Sequence, residues 1–318
     1  MQKPYVIGMD MGGTNTVFGV VDARGNVISK SAIKTGTHAD VNLYINDLHL
    51  ELSKLIDNAG GISKFKGIGI GAPNGNYYSG NIEHAPNLPW KGIVPFSKLI
   101  SEKFGIPAAL TNDANAAAIG EMTYGAARGM KNFIMITLGT GVGSGIIIDG
   151  KVVYGHDGFA GELGHVTAIR ENGRLCGCGK HGCLETYCSA TGVARSAREI
   201  LSITNKESIL RNIPLDSITS KDVFDAAMNN DEVAKEIFAF TGKILGQSLA
   251  DFVAFSSPEA IVIFGGLSKA GDLLLQPVRE HMDANLLPLW RNKIKLMFSE
   301  LKEADAAILG ASALGWEL

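Results

Sequence analysis

The chain lacks the features that mark several large protein classes. It has four cysteines in 318 residues, too few for a disulfide-stabilised secreted fold. Its net charge is −3 and its pI about 6.2, and no run of lysine or arginine suggests a nucleic-acid-binding surface. No stretch reaches the roughly 18 apolar residues of a membrane-spanning helix, and the N-terminus has neither an apolar signal segment nor a cleavage site. We therefore expect a cytoplasmic protein that binds neither nucleic acid nor membrane.

The familiar signatures of nucleotide binding are also missing. There is no G-x-x-x-x-G-K-[ST] P-loop, and neither the H-R-D nor the D-F-G motif of protein kinases. Contacts to phosphate, if they exist, must come from other glycine-rich segments. Each of these is a weak signal alone: DMGGT (10–14), LGTGVGSG (138–145) and FGG (264–266).

The order of apolar patterns predicts an α/β fold, because short β-branched runs alternate with helical periodicity. Residues 74–90 are predicted to form a long loop rich in glycine, asparagine and proline. Strands are predicted at 5–10, 16–21, 26–33, 67–71, 107–111 and 260–264. Helices are predicted at 40–59, 97–104, from 114, at 231–255 and at 304–314.

One supersecondary unit, a strand, a glycine turn and a second strand, occurs twice. With Gly139 placed on Gly12, an offset of 127 residues, FIMITLGTGVGSGIIID aligns with YVIGMDMGGTNTVFGVVD. Two such units that face each other would hold a polyphosphate, because glycine lets backbone N–H groups approach phosphate oxygens closely. We therefore predict two domains with a cleft between them. The smaller N-terminal α/β domain comprises residues 1–115 and 303–318, and the larger α/β domain comprises residues 116–302.

The most specific pattern is GELGH followed, after a polar spacer, by CGCGKHGCLE. It supplies the Cys₃His set that a tetrahedral structural zinc site takes: His165, Cys176, Cys178 and Cys183. Unrelated thiols and a disulfide are the alternatives, and Cys188 is left over. Because four protein ligands leave no open coordination position, the zinc is predicted to be structural and not catalytic. It would cross-link a loop of the larger domain and fix the directions of Glu162, His165 and Glu185.

Two aspartates follow predicted strands. Asp10 stands just before Gly12 and Gly13, where it could hold the water shell of Mg²⁺, although an aspartate before glycine is also a common turn former. In TNDANAAA (111–118) a strand runs into a helix, and Asn112 or Asp113 could serve only as the N-cap. Ligands bind at the carboxyl ends of strands in open α/β sheets, so the Asp113 carboxylate could instead take the proton of an attacking hydroxyl.

Five motifs, in this order over most of the chain, resemble the ROK family of bacterial sugar kinases, and its glucokinases above all: DMGGTNT, NDANAAA, LGTGVGSGI, GELGH and CGCGKHGCLE. The resemblance implies the duplicated actin-like ATPase (ribonuclease H-like) fold and a homodimer. It also implies ATP-dependent phosphorylation of a hexose, with D-glucose expected first, and ATP, Mg²⁺ and structural Zn²⁺ as cofactors. The cysteine–glycine segment is its most specific motif.

The resemblance also implies a role for individual residues. Asp113 would be the catalytic base, and the three cysteines with His165 would bind zinc. The implied sugar ligands are Asn87, Asn112, Asp113, Glu162, His165 and Glu185. The implied nucleotide contacts are Gly12, Gly13, Thr14, Thr140 and Gly141 at the phosphates, with Gly265 and Gly266 beside adenosine. One ring nitrogen of His165 would take zinc, which leaves the other to donate to a sugar hydroxyl, unless the histidine is purely structural.

Other functions stay open from the sequence. Within the family, the substrate could be N-acetylmannosamine, N-acetylglucosamine, fructose or allose. A sugar-sensing regulator is a second class, but the first predicted strand begins at Tyr5 and leaves no room for an N-terminal DNA-binding motif. A third class, an actin- or chaperone-like ATPase that acts on protein, would have no use for the zinc loop.

Overall fold

A computed structural model describes residues 3–301 and 303–318. The strands are β1 (Tyr5–Met11), β2 (Asn15–Asp22), β3 (Val27–Lys34), β4 (Phe65–Ala72), β5 (Ile82–Glu83), β6 (Ile93–Val94), β7 (Ala108–Asn112), β8 (Phe133–Leu138), β9 (Val142–Ile148), β10 (Lys151–Val152), β11 (Ala260–Phe264) and β12 (Lys295–Phe298). The helices are α1 (Val41–Asn58), α2 (Phe96–Phe104), α3 (Asp113–Tyr124), α4 (Glu185–Cys188), α5 (Ala190–Ile203), α6 (Ser220–Met228), α7 (Glu232–Ser256), α8 (Asp272–Asn285) and α9 (Glu303–Gly315).

The chain divides into two compact units. The first comprises Met1–Lys131, Gly145–Gly161 and Ser299–Leu318, and the second comprises Asn132–Ser144 and Glu162–Phe298. The sequence predicted boundaries at 115/116 and 302/303. The first unit extends further, through α3 to Lys131, and it also contains Gly145–Gly161. This helix belongs to the first unit because its small residues pack closely on α9, where a Cβ on Gly120 would lie 2.7 Å from Gly310 Cα. Lys302 lies outside the described residues.

The first sheet has the strand order β3-β2-β1-β4-β7. Strands β1, β2 and β3 are antiparallel neighbours, whereas β4 and β7 run parallel to β1. The register places Asp10 beside Gly71 and Gly71 beside Thr111. The carboxyl ends of three parallel strands therefore lie side by side at Asp10.

The second sheet, β10-β9-β8-β11-β12, repeats this order. Strand β10 pairs antiparallel with β9, and β11 runs parallel to both β8 and β12. The repeat follows from the same sequence device, an apolar strand, a glycine turn and a second apolar strand. This is the duplication that the offset of 127 residues predicts.

The segment predicted as a loop at 74–90 contains a short strand. Ile82 and Glu83 of β5 pair antiparallel with β6, and Ile82 is buried. Asn76, also buried, accepts the N–H groups of Tyr78 and Ser79 and donates from its amide to the carbonyl of Asp157. Side-chain hydrogen bonds of Asn76 therefore hold the beginning of this segment where regular secondary structure is absent.

No helix in the described part of the chain combines the length and apolarity that crossing a membrane requires.

Helix α9 lies so close to the first sheet that glycine is required beneath it. A Cβ on Gly69 would stand 1.9 Å from the carbonyl oxygen of Ala311. We expect Gly69→Ala to lower the free energy of unfolding by about 3 kcal/mol, because the helix must move away from β4. Gly36→Ala is the matched control, since nothing lies within 4 Å of its Cβ. Denaturant unfolding of both variants measures the difference, and equal midpoints would show that α9 yields without cost.

Candidate functional site

Two carboxylates of the first unit flank a glycine at the carboxyl ends of the parallel strands. A Cβ on Gly71 would lie 3.4 Å from Asp10 Oδ1 and 3.5 Å from Asp113 Cα. Asp10 ends the central strand β1, and Asp113 begins α3 directly after β7. The structure therefore brings Asp10 and Asp113 together around Gly71, and the Cβ of Ala116 lies beside them, 3.2 Å from where a Cβ on Gly71 would stand.

The surroundings raise the pKa of both carboxyl groups. Burial raises the pKa of Asp10 to about 7, and the negative charge of Asp113 acts in the same direction. Burial also raises the pKa of Asp113, against the opposing effect of the Ala114 N–H group. Asp113 as a whole residue is nevertheless exposed to solvent. A carboxylate with a raised pKa is a stronger base, which suits the removal of a proton from a hydroxyl.

Both residues at the start of α3 contact the same backbone donor. Asn112 Oδ1 and Asp113 Oδ1 each accept the N–H group of Ala114 at 2.8 Å. Asn112 is the N-cap residue, so the capping role considered for this pair belongs to it. The contact fixes one oxygen of Asp113 and leaves the other for a different partner.

Asn87 lies against the first glycine turn. The turn is closed by a hydrogen bond from Gly12 N to Asn15 O, 2.9 Å long. A Cβ on Gly13 would be 2.9 Å from the carbonyl oxygen of Asn87, so only glycine fits there. The long loop and the predicted phosphate turn of the first unit therefore form one surface.

The second glycine turn, in the second unit, is tight in the same way. Gly139 N donates to Gly141 O at 3.0 Å, and Thr140 O accepts the hydroxyl of Thr191. Gly265 has φ +103°, and a Cβ there would lie 2.6 Å from the carbonyl oxygen of Leu138. The predicted phosphate segment and the predicted adenosine segment are therefore adjacent within this unit.

The residues of the predicted zinc site converge in the second unit. One ligand atom from each of its four residues lies within 4.8 Å of the others: His165, Cys176, Cys178 and Cys183. The Sγ atoms of Cys178 and Cys183 are 3.6 Å apart, and Cys176 Sγ is 3.7 Å from His165 Nδ1. Sulfurs bound tetrahedrally to zinc at about 2.3 Å are separated by about 3.8 Å. The donor set therefore fits zinc, and all four cysteines are free of disulfides.

Short bridges fold the loop that carries these ligands. Leu175 pairs with His181, and Cys176 N donates to Lys180 O at 2.8 Å. Burial raises the pKa of Cys176. Burial would also raise the pKa of Cys178, but hydrogen bonds from Lys180 N and neighbouring thiols lower it. Metal ligation requires thiolates, so a divalent cation would offset the cost of ionising Cys176.

Glu185 contacts both the metal-ligand set and the second glycine turn. Its Oε1 is 3.1 Å from Cys176 Sγ and 3.8 Å from His165 Nδ1, and its Oε2 accepts Val142 N at 3.4 Å. These contacts direct Nδ1 of His165 to the sulfurs, and Nε2 is the nitrogen left for another partner. Glu162 precedes the turn at Leu163–His165, where His165 N donates to its carbonyl oxygen.

The predicted sugar ligands are thus distributed over both units. The first unit carries Asn87, Asn112 and Asp113, and the second carries Glu162, His165 and Glu185. The sequence did not indicate Gly71, although its place at the end of a buried strand beside Asp10 was a usable signal.

The chain is similar to known proteins over almost its whole length. The model of the ROK family matches residues 6–317. A glucokinase of Halalkalibacterium halodurans is 39% identical over 321 residues, which cover 99% of this chain and 95% of that protein. The ROK family glucokinase of Streptomyces griseus, solved with glucose and AMPPNP, has a TM-score of 0.81 and 32% identity and covers 99% of this chain and 100% of its own. A xylose repressor of Bacillus spizizenii is 29% identical, over 98% of this chain and 76% of its own length. These similarities confirm the predicted actin-like ATPase fold.

Proposed function

Because the chain belongs to the ROK family, as its motifs predicted, we propose that it phosphorylates the 6-hydroxyl of D-glucose with ATP. The observation that carries this proposal is the similarity to glucokinases over the full chain, with the predicted base at a strand end of the matching fold. The regulators that it resembles are more distant and extend beyond the matched region. A coupled assay of phosphoryl transfer from ATP tests the proposal, and sugar binding without turnover would favour a regulator.

Asp113 is proposed as the general base. Its free carboxylate oxygen would accept the proton of the 6-hydroxyl as that oxygen attacks the γ-phosphorus of ATP, and ADP would leave. The products are glucose 6-phosphate and ADP. Mg²⁺, held through the water shell near Asp10, would supply charge neutralisation at the phosphates. The close pair of carboxylates with raised pKa values fits a site that takes a cation.

The two glycine turns are proposed to bind the phosphates. Their backbone N–H groups can approach oxygens closely because Gly12, Gly13 and Gly141 carry no side chain, with Thr14 and Thr140 adding hydroxyls. Gly265 and Gly266 are proposed beside adenosine.

The sugar contacts are proposed in two sets. Asn87, Asn112 and Asp113 would face C3 to C6 of the hexose. Glu162, His165 and Glu185 would face C1 and C2, with His165 donating from Nε2 while Nδ1 binds structural zinc. The contacts of Nδ1 with Cys176 and Glu185 support this division of the two nitrogens.

We expect glucose to have the highest kcat/KM among hexoses, with mannose and N-acetylated hexosamines well behind. A carboxylate beside C2 accepts a hydrogen bond from a hydroxyl, whereas an N-acetyl group needs space and apolar cover. A wrong epimer would leave buried polar groups unpaired. Steady-state rates over a hexose panel measure this. A preference of about tenfold for N-acetylmannosamine or fructose would refute the glucokinase assignment and leave the kinase mechanism intact.

We further propose that the enzyme is cytoplasmic and forms a homodimer, as the family resemblance implies. Light scattering after gel filtration measures the mass directly. A mass near 33.7 kDa, that of one chain, would refute the dimer.

A further inference from the structure

Arg174 is a buried charged residue that none of the motifs singled out. It lies two positions before Cys176 and is 8% exposed. It is the only buried lysine or arginine in the part of the chain that the structure describes. Burying a guanidinium is unfavourable unless its donors are paired. Its contacts therefore need an explanation.

Every side-chain N–H group of Arg174 meets an acceptor on the segment from α4 to α5. Nε and Nη2 donate to Glu199 Oε2 at 3.0 and 2.6 Å. Nη1 donates to the carbonyl oxygens of Thr186 at 2.6 Å and Gly192 at 3.3 Å, and Nη2 also donates to Ser196 Oγ at 2.9 Å. These bonds use the five donors of a guanidinium.

The ring of Tyr187 packs against the Arg174 guanidinium. The guanidinium carbon lies 4.4 Å from the ring centroid, and Arg174 N donates to the Tyr187 hydroxyl at 2.9 Å. Burial alone would raise the pKa of Glu199, but hydrogen bonds and charge from Arg174 and Arg195 lower it. Glu199 is therefore held ionised as the counter-charge of the buried arginine.

The backbone of Arg174 also bonds to the loop that carries the three cysteines, residues 174–183, which we call the metal loop. Its carbonyl oxygen accepts Gly182 N at 2.8 Å, and Gly182 directly precedes Cys183. Cys176 follows it two positions later in the chain, and its side chain donates to the carbonyl oxygen of Thr186, the residue after Glu185. Arg174 thus lies where the two cysteine segments and the start of α4 meet.

We propose that Arg174 is a positioning residue that fixes the metal loop on the helical segment carrying Glu185, so that zinc retention and hexose affinity depend on one side chain. The part of this inference that concerns hexose affinity rests on the proposed function. Lysine could not replace the arginine, because an ammonium has three donors on a flexible stem and cannot reach all these acceptors together.

Arg174→Lys tests the proposal. We expect zinc release to a chromogenic chelator to be about tenfold faster, within the usual range for residues that orient metal ligands. We also expect the KM for glucose to rise about tenfold, with the KM for ATP changed by less than about twofold. Arg198→Lys is the matched control, because it makes the same change at another arginine of α5, whose guanidinium donates to Ile218 O and not to the loop with the cysteines. The control should change neither the rate of zinc release nor the KM for glucose.

Ser196→Ala is a milder variant that removes one acceptor of the guanidinium, and it decides the question if Arg174→Lys does not fold. It should move zinc release and glucose KM in the same direction by a smaller factor. A folded Arg174→Lys protein with wild-type zinc release, or with faster release and an unchanged glucose KM, would overturn the proposal. A lowered melting temperature with both quantities unchanged would reduce Arg174 to a stabilising contact. If the wild-type protein has no kinase activity, the proposed function is refuted. The role of Arg174 in zinc retention can still be tested then, because zinc release is measured without turnover.

Discussion

Asp113→Asn is expected to lower kcat by about 10²–10⁴-fold or more while glucose binding changes little. The amide keeps the size and the hydrogen bond to Ala114 N, but it cannot accept the proton of the 6-hydroxyl. A coupled assay of glucose 6-phosphate formation measures kcat, and calorimetry measures glucose binding.

A helix-capping role for Asp113 predicts a different result. Asp40 caps α1 through a 2.8 Å bond from Asn42 N, so Asp40→Asn is the matched control and should leave kcat unchanged. The raised pKa of Asp113 means that the folded state disfavours its ionised form, so the neutral amide should not lower stability at pH 7. Asparagine caps helices as well as aspartate does, so a capping role predicts a near-normal kcat, and that result in Asp113→Asn would refute the assignment of Asp113 as the base.

Loss of the metal is expected to weaken sugar binding more than ATP binding. Cys178→Ser removes one proposed ligand at an exposed position, so it changes the metal site with little loss of core packing. We expect about one zinc per chain in the wild type and much less in the variant. The KM for glucose should rise about tenfold or more, because His165 and Glu185 both contact Cys176 within the ligand set.

The remaining cysteine provides the control for this experiment. Cys188 is fully buried in the core of the second unit and is no part of the ligand set, so Cys188→Ala should keep its zinc. Metal content by mass spectrometry and the two KM values give the comparison. Full activity and unchanged glucose KM in metal-free protein would show that the cysteines serve another purpose. An equal rise in both KM values would point instead to the contact between Glu185 and Val142 of the glycine turn.

Local patterns were sufficient for much of the fold. The helix predicted at 40–59 is α1 at Val41–Asn58, and the strand predicted at 260–264 is β11. In α1 the apolar stripe has the helical period, and Asp40 supplies the N-cap. The loop at 74–90 was harder to predict, because a two-residue strand such as β5 depends on its distant partner β6 and has no period of its own.

The sequence alone was sufficient to predict the groups whose residues lie close together in the chain. The three cysteines and the histidine could be read as a metal set because zinc ligands recur at short spacings, and the glycine turns could be read because only glycine tolerates their close contacts. The tertiary structure decided which distant residues meet. It placed Gly71 between Asp10 and Asp113, gave α3 to the first unit, and gathered the acceptors around Arg174. Pairing between strands and packing between helices fix these contacts, and neither leaves a local pattern in the residues that they bring together.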